Sequence, residues 1–298
     1  MRKLIASLAA VLAISAAAVA PVGAITGVNY TEDFDHPFVG LAVFYTLDAD
    51  GNEVFSHRCS GSLLSPTVFL TAGHCTDGVD TARIYFQQDA GAHYNPVTQL
   101  DPVSGYPEFC AAGTLGDVCA TSSELYNFGF DNFAGFPNIK DAGLVILDQS
   151  IELAEYGILP AIGTLDSLGN RVGTQDRTVG ISGYGVTYRD ASGRHDKSFR
   201  IRLQGFSKIT NVVGGNTGGF NLQTSGNGGG RSGTCGGDSG GPVFYPSDTN
   251  VIVGVTSFGL NAWCRGQDFA FRVDTQAVQD WIRSKLTAAE WAEIQFAD

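Results

Sequence analysis

The residues best suited to chemistry lie in a glycine-rich octet, CGGDSGGP, at residues 235–242, with Ser239 near its centre. A serine hydroxyl becomes a good nucleophile when a base takes its proton. The oxyanion that forms on attack needs backbone N–H donors, and glycines let a backbone turn sharply and approach a substrate closely. A glycine-rich turn with an incidental serine is the alternative, which the full octet disfavours. The octet therefore predicts a nucleophilic Ser239.

Two further segments could complete such a site. In LTAGHC, at residues 70–75, His74 follows an apolar run and precedes Cys75, whose disulfide could fix the histidine in place. In DAGLVIL, at residues 141–147, Asp141 precedes a buried strand and could orient a base histidine and stabilise its imidazolium form. An edge charge is the alternative for Asp141. The other histidines lie among polar, turn or charged residues and are interpreted as solvated: His36, His57, His93 and His195.

The chain order of these three candidates is informative. It runs His74, Asp141, Ser239, whereas α/β-hydrolases follow the order Ser, Asp, His and subtilisins follow Asp, His, Ser. The order argues against a secreted esterase or lipase, and there is no nucleophile elbow between a strand and a helix.

The elements that would hold these residues are mainly strands. Hydrophobic residues make up 43% of the chain, charged residues 16%, and 39 residues are glycine, which favours a globular all-β fold. Apolar runs predict strands within 38–47, 60–72, 143–147 and 251–258. Residues 275–286 predict one helix with Asp274 as its N-cap, and 288–296 a second short helix. Residues 87–140 and 213–234 are predicted to be insertions or long loops.

The N-terminus has the pattern of an export signal. Arg2 and Lys3 precede an alanine-rich apolar run, and Val22-Gly23-Ala24 fits a signal peptidase site. We expect residues 1–24 to be removed and the product to be soluble and secreted, extracellular or periplasmic. The alanine-rich core of the leader suggests a bacterial signal peptide. An uncleaved membrane anchor is the alternative, disfavoured because the run ends at Pro21 with no charged flank.

Charge and cysteine content limit the partners. Loss of Arg2 and Lys3 leaves 16 basic against 30 acidic side chains, a net charge of about −14. Such a surface repels nucleic acid and anionic membrane.

Six cysteines in an exported chain predict three disulfides, and spacing alone permits fifteen pairings. Zinc is a weaker alternative because the chain has no Cys-x-x-Cys. We expect no metal and no cofactor.

The quoted motifs resemble the chymotrypsin/trypsin family of serine peptidases, over about residues 25–286. SGYG at 182–185 and TSFG at 256–259 are also similar to family segments. The resemblance implies two antiparallel six-stranded β-barrels (25–155 and 156–274) with the active site in the cleft between them, and a C-terminal helical segment (275–298). It implies an endopeptidase that works through an acyl-enzyme.

The resemblance also assigns roles to residues around the nucleophile. It implies an oxyanion hole from the N–H groups of Gly237 and Ser239. It implies that Ser257 supports Asp141, and that Ser257, Phe258 and Gly259 bind substrate backbone by strand addition.

Disulfide pairs follow from the same resemblance. It implies Cys59–Cys75 and Cys235–Cys264, which leaves Cys110 and Cys119 for a third bridge. The stretch between the histidine and aspartate motifs is longer than is usual in the family, and the family's common bridge just upstream of the nucleophile loop has no cysteines here.

The new N-terminus has a family counterpart. Ile25-Thr26-Gly27-Val28 is similar to the activating sequence of the family, and Asp238 matches its ionic partner. Ile25 directly follows the predicted signal cleavage site. The hypothesis is that signal peptidase itself frees the activating amine. A simple strand at this position is the alternative.

Specificity is the least determined property. By analogy Gly233 forms the base of the primary pocket, which does not support a trypsin-like preference, and Gly259 keeps the pocket mouth open. Asp268 either places a carboxylate in the pocket or lies on the surface. We expect a preference for aromatic or large apolar residues, with basic residues accepted through Asp268.

The expected partners are polypeptide substrates and protein inhibitors, and we expect a monomer. The runner-up function is a catalytically inactive member of the same fold that acts by binding.

Overall fold

The computed structural model describes residues 25–27, 29–90, 119–169, 176–187, 200–226, 231–260 and 263–298. The predicted leader, Cys110, His93 and His195 lie outside these residues. Two short strands open the described chain, β1 (Thr26–Gly27) and β2 (Thr31–Glu32). Within the described ranges, no helix is both long enough and apolar enough to span a membrane.

The first large sheet has seven antiparallel strands. They are β3 (Val39–Leu47), β4 (Glu53–Leu63), β5 (Val68–Thr71), β6 (Thr81–Tyr85), β7 (Cys119–Ser122), β8 (Glu124–Asn127) and β9 (Gly143–Ile146), with helix α1 (Gly73–Thr76) directly after β5. Their order in the sheet is β7-β6-β3-β4-β5-β9-β8. The sheet curls into a nearly closed barrel around a core that includes Phe44, Phe69 and Leu144.

The second large sheet closes on itself. After helix α2 (Asp166–Gly169) come β10 (Thr178–Gly183), β11 (Leu203–Asn211), β12 (Asn221–Ser225), the short β13 (Ser232–Gly233), β14 (Pro242–Phe244), β15 (Ile252–Gly259) and β16 (Gln267–Arg272). The order is β10-β14-β15-β16-β12-β11, and β10 also pairs with β11, which completes a six-stranded barrel. Strand β2 adds to the outer side of β11. The predicted all-β fold with two barrels is confirmed, although each sheet has seven strands.

Two stretches predicted to be loops contain strands. Strands β7 and β8 fall within 87–140, and β12 and β13 within 213–234. Strand β12 reads NLQTS, which has little apolar alternation, but it pairs with β11 on one side and β16 on the other. Backbone pairing on both sides therefore holds a strand that the side-chain pattern does not predict.

The C-terminal helices are α3 (Gln276–Lys285) and α4 (Ala288–Glu293). The predicted N-cap Asp274 is wrong, because Thr275 occupies the N-cap position without a side-chain hydrogen bond. Asp274 instead accepts hydrogen bonds from the Leu165 N–H (2.8 Å) and from the buried Arg272 guanidinium (2.8 Å). A buried guanidinium requires a paired carboxylate, and that demand outweighs capping.

Candidate active site

His74 and Asp141 are brought together by strand pairing. His74 lies on α1 immediately after β5, and Asp141 lies two residues before β9. Strands β5 and β9 pair with Thr71 opposite Gly143, so the residues just beyond them are neighbours. Asp141 accepts from His74 twice, at the ring Nδ1 (2.9 Å to Oδ2) and at the backbone N–H (2.7 Å to Oδ1). Both the ring and its backbone are thereby oriented by one carboxylate.

Asp141 is fully buried and is satisfied by several donors. The Ser257 hydroxyl, on β15, also donates to its Oδ2. With Nδ1 bonded to the carboxylate, the proton of the neutral ring lies on Nδ1 and the Nε2 lone pair is available as a base. About a quarter of the His74 side chain is exposed (26%), so the ring is reachable from the cleft.

The Ser239 loop is held by the first barrel. The backbone N–H of Ser60, on β4, donates to the Ser239 carbonyl (2.7 Å), and the Ser60 hydroxyl donates to the Gly237 carbonyl (2.8 Å). The Tyr184 N–H in turn donates to the Ser60 hydroxyl (2.9 Å). Sequence reasoning missed Ser60. Its only signal is its place beside Cys59, which is bonded to the neighbour of His74.

These contacts engage the carbonyl groups of Gly237 and Ser239. Gly237 has φ = +97°, a conformation that side-chain-bearing residues rarely adopt. Among the described residues, the N–H groups of Gly237 and Ser239 have no hydrogen-bond partner. Two unpaired N–H groups beside a serine are the arrangement that an oxyanion needs.

No hydrogen bond joins the Ser239 hydroxyl to His74 within the described part of the chain. Apo sites often have long contacts of this kind, which tighten when substrate binds. Ser239 is half-buried and lines a pocket of about 190 Å³, together with residues of β15 and the 234–236 loop.

Asp268 is the charged group of this pocket. It lines the pocket, is 7% exposed, and accepts from the Thr234 N–H at 2.9 Å. Burial raises the pKa of Asp268 to about 6, against the lowering effect of the Thr234 hydrogen bonds. The alternative reading of Asp268 as a surface residue is therefore wrong.

Gly233 lies behind Asp268 and is not among the pocket-lining residues. A Cβ on Gly233 would lie 2.9 Å from Asp268 Oδ2. The carboxylate occupies the space that a side chain at 233 would take, and the assignment of Gly233 to the base of the pocket stays a prediction. A Cβ on Gly259 would lie 3.2 Å from Asp268 Oδ1, which places the carboxylate between the two glycines.

Ile25 reaches Asp238 in the folded chain. Ile25 and Asp238 are both fully buried, and the Ile25 backbone N–H is one of the hydrogen-bond donors to Asp238. Burial raises the pKa of Asp238 to about 7, the hydrogen bonds from Cys235 and Gly185 lower it, and the nearby Asp268 raises it further. Strand β1 pairs with β13, with Thr26 opposite Gly233.

Two disulfides brace these loops. Cys59–Cys75 joins β4 to the helix that carries His74, and Cys235–Cys264 joins the Ser239 loop to the pocket wall. Cys119 is also disulfide-bonded, while Cys110, its expected partner, lies outside the described residues. Cys59 and Cys75 are close to His74, but sulfurs in a disulfide are not the thiolates that bind zinc.

Comparison with known proteins decides the family. The trypsin family model matches residues 133–282. Brachyurin of Leptuca pugilator is 30% identical over 230 residues, which cover 76% of this chain and 87% of brachyurin. The chain belongs to the trypsin family.

Solved structures show the same fold. HL collagenase matches with a TM-score of 0.58 at 19% identity, covering 87% of this chain and 97% of that structure. A scabies mite inactivated protease paralogue, S-D1, also matches with a TM-score of 0.58, at 15% identity, covering 88% of this chain and 99% of that structure. At these identities the likeness establishes the fold alone. Brachyurin is an animal protein, and Serine protease 1 of Drosophila melanogaster, 29% identical over 228 residues (76% of this chain and 74% of that protein), is another, so the comparisons give no support to the bacterial source that the leader suggested.

Four phenylalanines, Phe130, Phe133, Phe258 and Phe269, form an aromatic wall in this trypsin-family chain that the sequence analysis did not predict. Phe130 lies 5.8 Å from the His74 ring, and Phe133 lies edge-on to Phe258 at 5.3 Å. Phe258 is stacked on Phe269 at 4.5 Å. The wall therefore joins the 128–140 segment to β15 beside His74, and Phe133 is 38% exposed.

Proposed function

We propose that this chain is a serine endopeptidase that cleaves polypeptides through an acyl-enzyme, with Ser239 as nucleophile, His74 as general base and Asp141 as the orienting carboxylate. The observation that carries the proposal is the double hydrogen bond from His74 to buried Asp141, next to a serine whose loop exposes two unpaired N–H groups. Membership of the trypsin family supports it.

The chemistry follows from these contacts. On substrate binding, His74 Nε2 takes the proton of the Ser239 hydroxyl as its oxygen attacks the scissile carbonyl. Asp141 stabilises the imidazolium through Nδ1, and the N–H groups of Gly237 and Ser239 bind the oxyanion. His74 then gives the proton to the leaving amine, and water hydrolyses the ester by the same steps.

Strand β15 supplies the docking edge for the substrate. Its partner β14 pairs with it only as far as Val255, whereas β16 continues opposite Phe258 and Gly259. Residues 257–259 are therefore paired on one side only. We infer that an extended substrate adds to the open side, as in other cases of strand addition.

The pocket beside Ser239 supports a preference for both basic and large apolar side chains at the residue before the scissile bond. Asp268 presents a buried carboxylate to the pocket, and Phe258, Gly259 and the Cys235–Cys264 disulfide give it apolar walls. We infer that lysine and arginine are accepted when Asp268 is ionised, and that large apolar side chains are accepted without its charge.

Activation and export form the remaining part of the proposal. We infer that removal of residues 1–24 converts the Ile25 amide to an ammonium that pairs with Asp238 and lowers its pKa. Disulfides and the predicted leader support secretion, and we infer a monomer that protein inhibitors can block. Loss of one partner of such a buried pair typically costs about 3–5 kcal/mol.

The test is cleavage of a peptide panel varied at the residue before the scissile bond. The exported protein is compared with Ser239→Ala, and labelling of Ser239 by a serine-reactive phosphonate is measured in parallel. Activity and labelling that vanish in the variant support the proposal. A correctly processed protein with neither would be the inactive binding protein of the same fold.

A further inference from the structure

A second pocket lies on another part of the surface. It has a volume of about 600 Å³, compared with about 190 Å³ for the pocket beside Ser239, and the two share no lining residue. Its walls come from the connection between β2 and β3, from β11, from Glu155, and from residues 247–250 between β14 and β15. Nothing in the proposed peptidase mechanism uses it.

The lining is acidic. Asp35, Glu155 and Asp248 contribute carboxylates, and no described lysine or arginine lines the pocket. One N–H of each neighbouring amide is already engaged, since Gln204 donates to Asp35 (2.7 Å) and Asn250 donates to Glu155 (2.9 Å). The pocket therefore offers mainly hydrogen-bond acceptors to a ligand.

His36 adds a preorganised acceptor to this pocket. The sequence-based interpretation of His36 as solvated is wrong, because it is 9% exposed and its Nδ1 bonds to the fully buried Asp33 at 2.9 Å. Asp33 is held in turn by the Ser182 hydroxyl, and the His36 ring is stacked on Phe244 at 4.5 Å.

Asp33 takes the Nδ1 side of the ring, which leaves His36 Nε2 for a ligand. In the described part of the chain Nε2 has no hydrogen-bond partner, although the ring lines the pocket. In the neutral ring, Nδ1–H donates to Asp33 and the Nε2 lone pair is an acceptor. Nε2 is not one of the buried polar atoms that lack a partner, so it is reachable from the pocket and can accept a hydrogen bond from a ligand there.

Two exposed aromatic rings complete the lining. Phe34 is 68% exposed and Phe206 is 47% exposed. Aromatic faces attract guanidinium and ammonium groups, and arginine carries five donors and no acceptor. A ligand with several donors, positive charge and an apolar stem fits all of these features.

We propose that this pocket is an exosite that binds an arginine-rich segment of a polypeptide partner. The carboxylates surround the arginine guanidinium, and His36 Nε2 accepts a hydrogen bond from one of its N–H groups. Phe34 and Phe206 cover the aliphatic part of the arginine side chain. The binding is independent of the proposed catalysis, so it can be tested in a protein whose active site is disabled.

The experiment measures binding of a fluorescein-labelled Gly-Arg-Phe-Arg-Gly peptide by anisotropy. The reference protein carries Ser239→Ala and Asp268→Asn, which prevents cleavage and removes the carboxylate of the other pocket. A second peptide has citrulline in place of both arginines, which keeps the shape and removes the charge. We expect the citrulline peptide to bind at least tenfold more weakly.

Charge reversal in the reference protein locates the binding. Asp248→Lys changes an exposed residue of the second pocket, and Asp50→Lys makes the same charge change at the exposed turn between β3 and β4. We expect about tenfold weaker binding for Asp248→Lys, less than twofold for Asp50→Lys, and at least fivefold weaker binding for Phe206→Ala.

Each outcome decides the proposal. Equal loss from Asp248→Lys and Asp50→Lys would mean non-specific attraction to an acidic protein and would overturn it. Equal binding of the arginine and citrulline peptides would also overturn it. Because Phe206 carries no charge, weaker binding by Phe206→Ala indicates a pocket with a defined shape, whereas unchanged binding indicates general electrostatic attraction. Near-ultraviolet circular dichroism verifies that each variant is folded.

Discussion

Replacing Asp268 with asparagine removes the charge of the primary pocket and keeps its shape. Asparagine retains an oxygen that can accept from the Thr234 N–H, now at 2.9 Å. Its volume suits the space between Gly233 and Gly259, where a larger group would be obstructed. The variant therefore isolates the contribution of the carboxylate to recognition of lysine and arginine.

The size of that contribution follows from the burial of the carboxylate. Two unit charges 4 Å apart attract by about 4 kcal/mol at an effective dielectric constant of 20. Desolvation of both groups offsets part of this, and hydrogen bonds to charged groups contribute about 1.5–3 kcal/mol net. At 1.4 kcal/mol for each factor of ten, Asp268→Asn is expected to lower kcat/KM for lysine substrates about 10- to 100-fold. Phenylalanine substrates should change less than threefold.

The assay follows the ratio of kcat/KM for matched lysine and phenylalanine peptides between pH 5 and pH 8. Both substrates are cleaved by the same catalytic groups, so a pH dependence that the two reactions share cancels in the ratio. The pKa of Asp268 is raised to about 6, so the carboxyl group is neutral below this pH and charged above it. The ratio should rise with pH around a midpoint of about 6.

The control is Asp268→Asn, whose ratio should stay low and flat across the same range. A wild-type ratio that does not vary with pH and is unchanged by the substitution would refute the role of Asp268. A wild-type ratio that rises with pH equally in the variant would assign the effect to another group.

Three further predictions concern positioning groups. Ser60→Ala removes the hydroxyl bond to the Gly237 carbonyl and should lower kcat about tenfold with little change in KM, measured by steady-state kinetics. Thr26→Val removes the hydroxyl donor to the Cys264 carbonyl (3.1 Å) and should raise KM about fivefold, whereas Thr26→Ser should not. In a chain that retains its leader, the folded state keeps the Asp238 proton up to about pH 7 while the unfolded state loses it near 3.8. Stability should therefore fall between pH 4 and pH 7, by up to about 4 kcal/mol in thermal unfolding, and Asp238→Asn should remove most of this fall.

Short-range patterns in the sequence predicted much of the candidate site. The Ser239 octet and the His74 motif are local signals, because a nucleophile loop needs glycines and a disulfide near the histidine within a few residues. The two-barrel fold followed from the family resemblance and not from strand periodicity alone. Periodicity misses β12, whose polar residues are held by pairing on both sides.

Contacts between distant segments could not be predicted. His36 was interpreted as solvated because its neighbours are polar, but its ring is held by Asp33, which is itself held by Ser182. The position of Asp268 could not be predicted for the same reason, since the sequence of a loosely aligned segment does not reveal whether a single aspartate faces the pocket. Burial depends on which strands meet, and that is a property of the whole fold.

The proposed activation pair and the proposed specificity pocket share one electrostatic environment. Asp268 raises the pKa of Asp238, so the two buried carboxylates disfavour each other's ionisation. An Ile25 ammonium would bring a positive charge beside Asp238 as it ionises that carboxyl, so the new pair adds no net charge next to Asp268. A lysine or arginine in the pocket favours the ionised form of Asp268 directly. Since Thr26 bonds to the pocket wall at Cys264, freeing the N-terminus is expected to affect the pocket through this contact as well as to order the oxyanion hole.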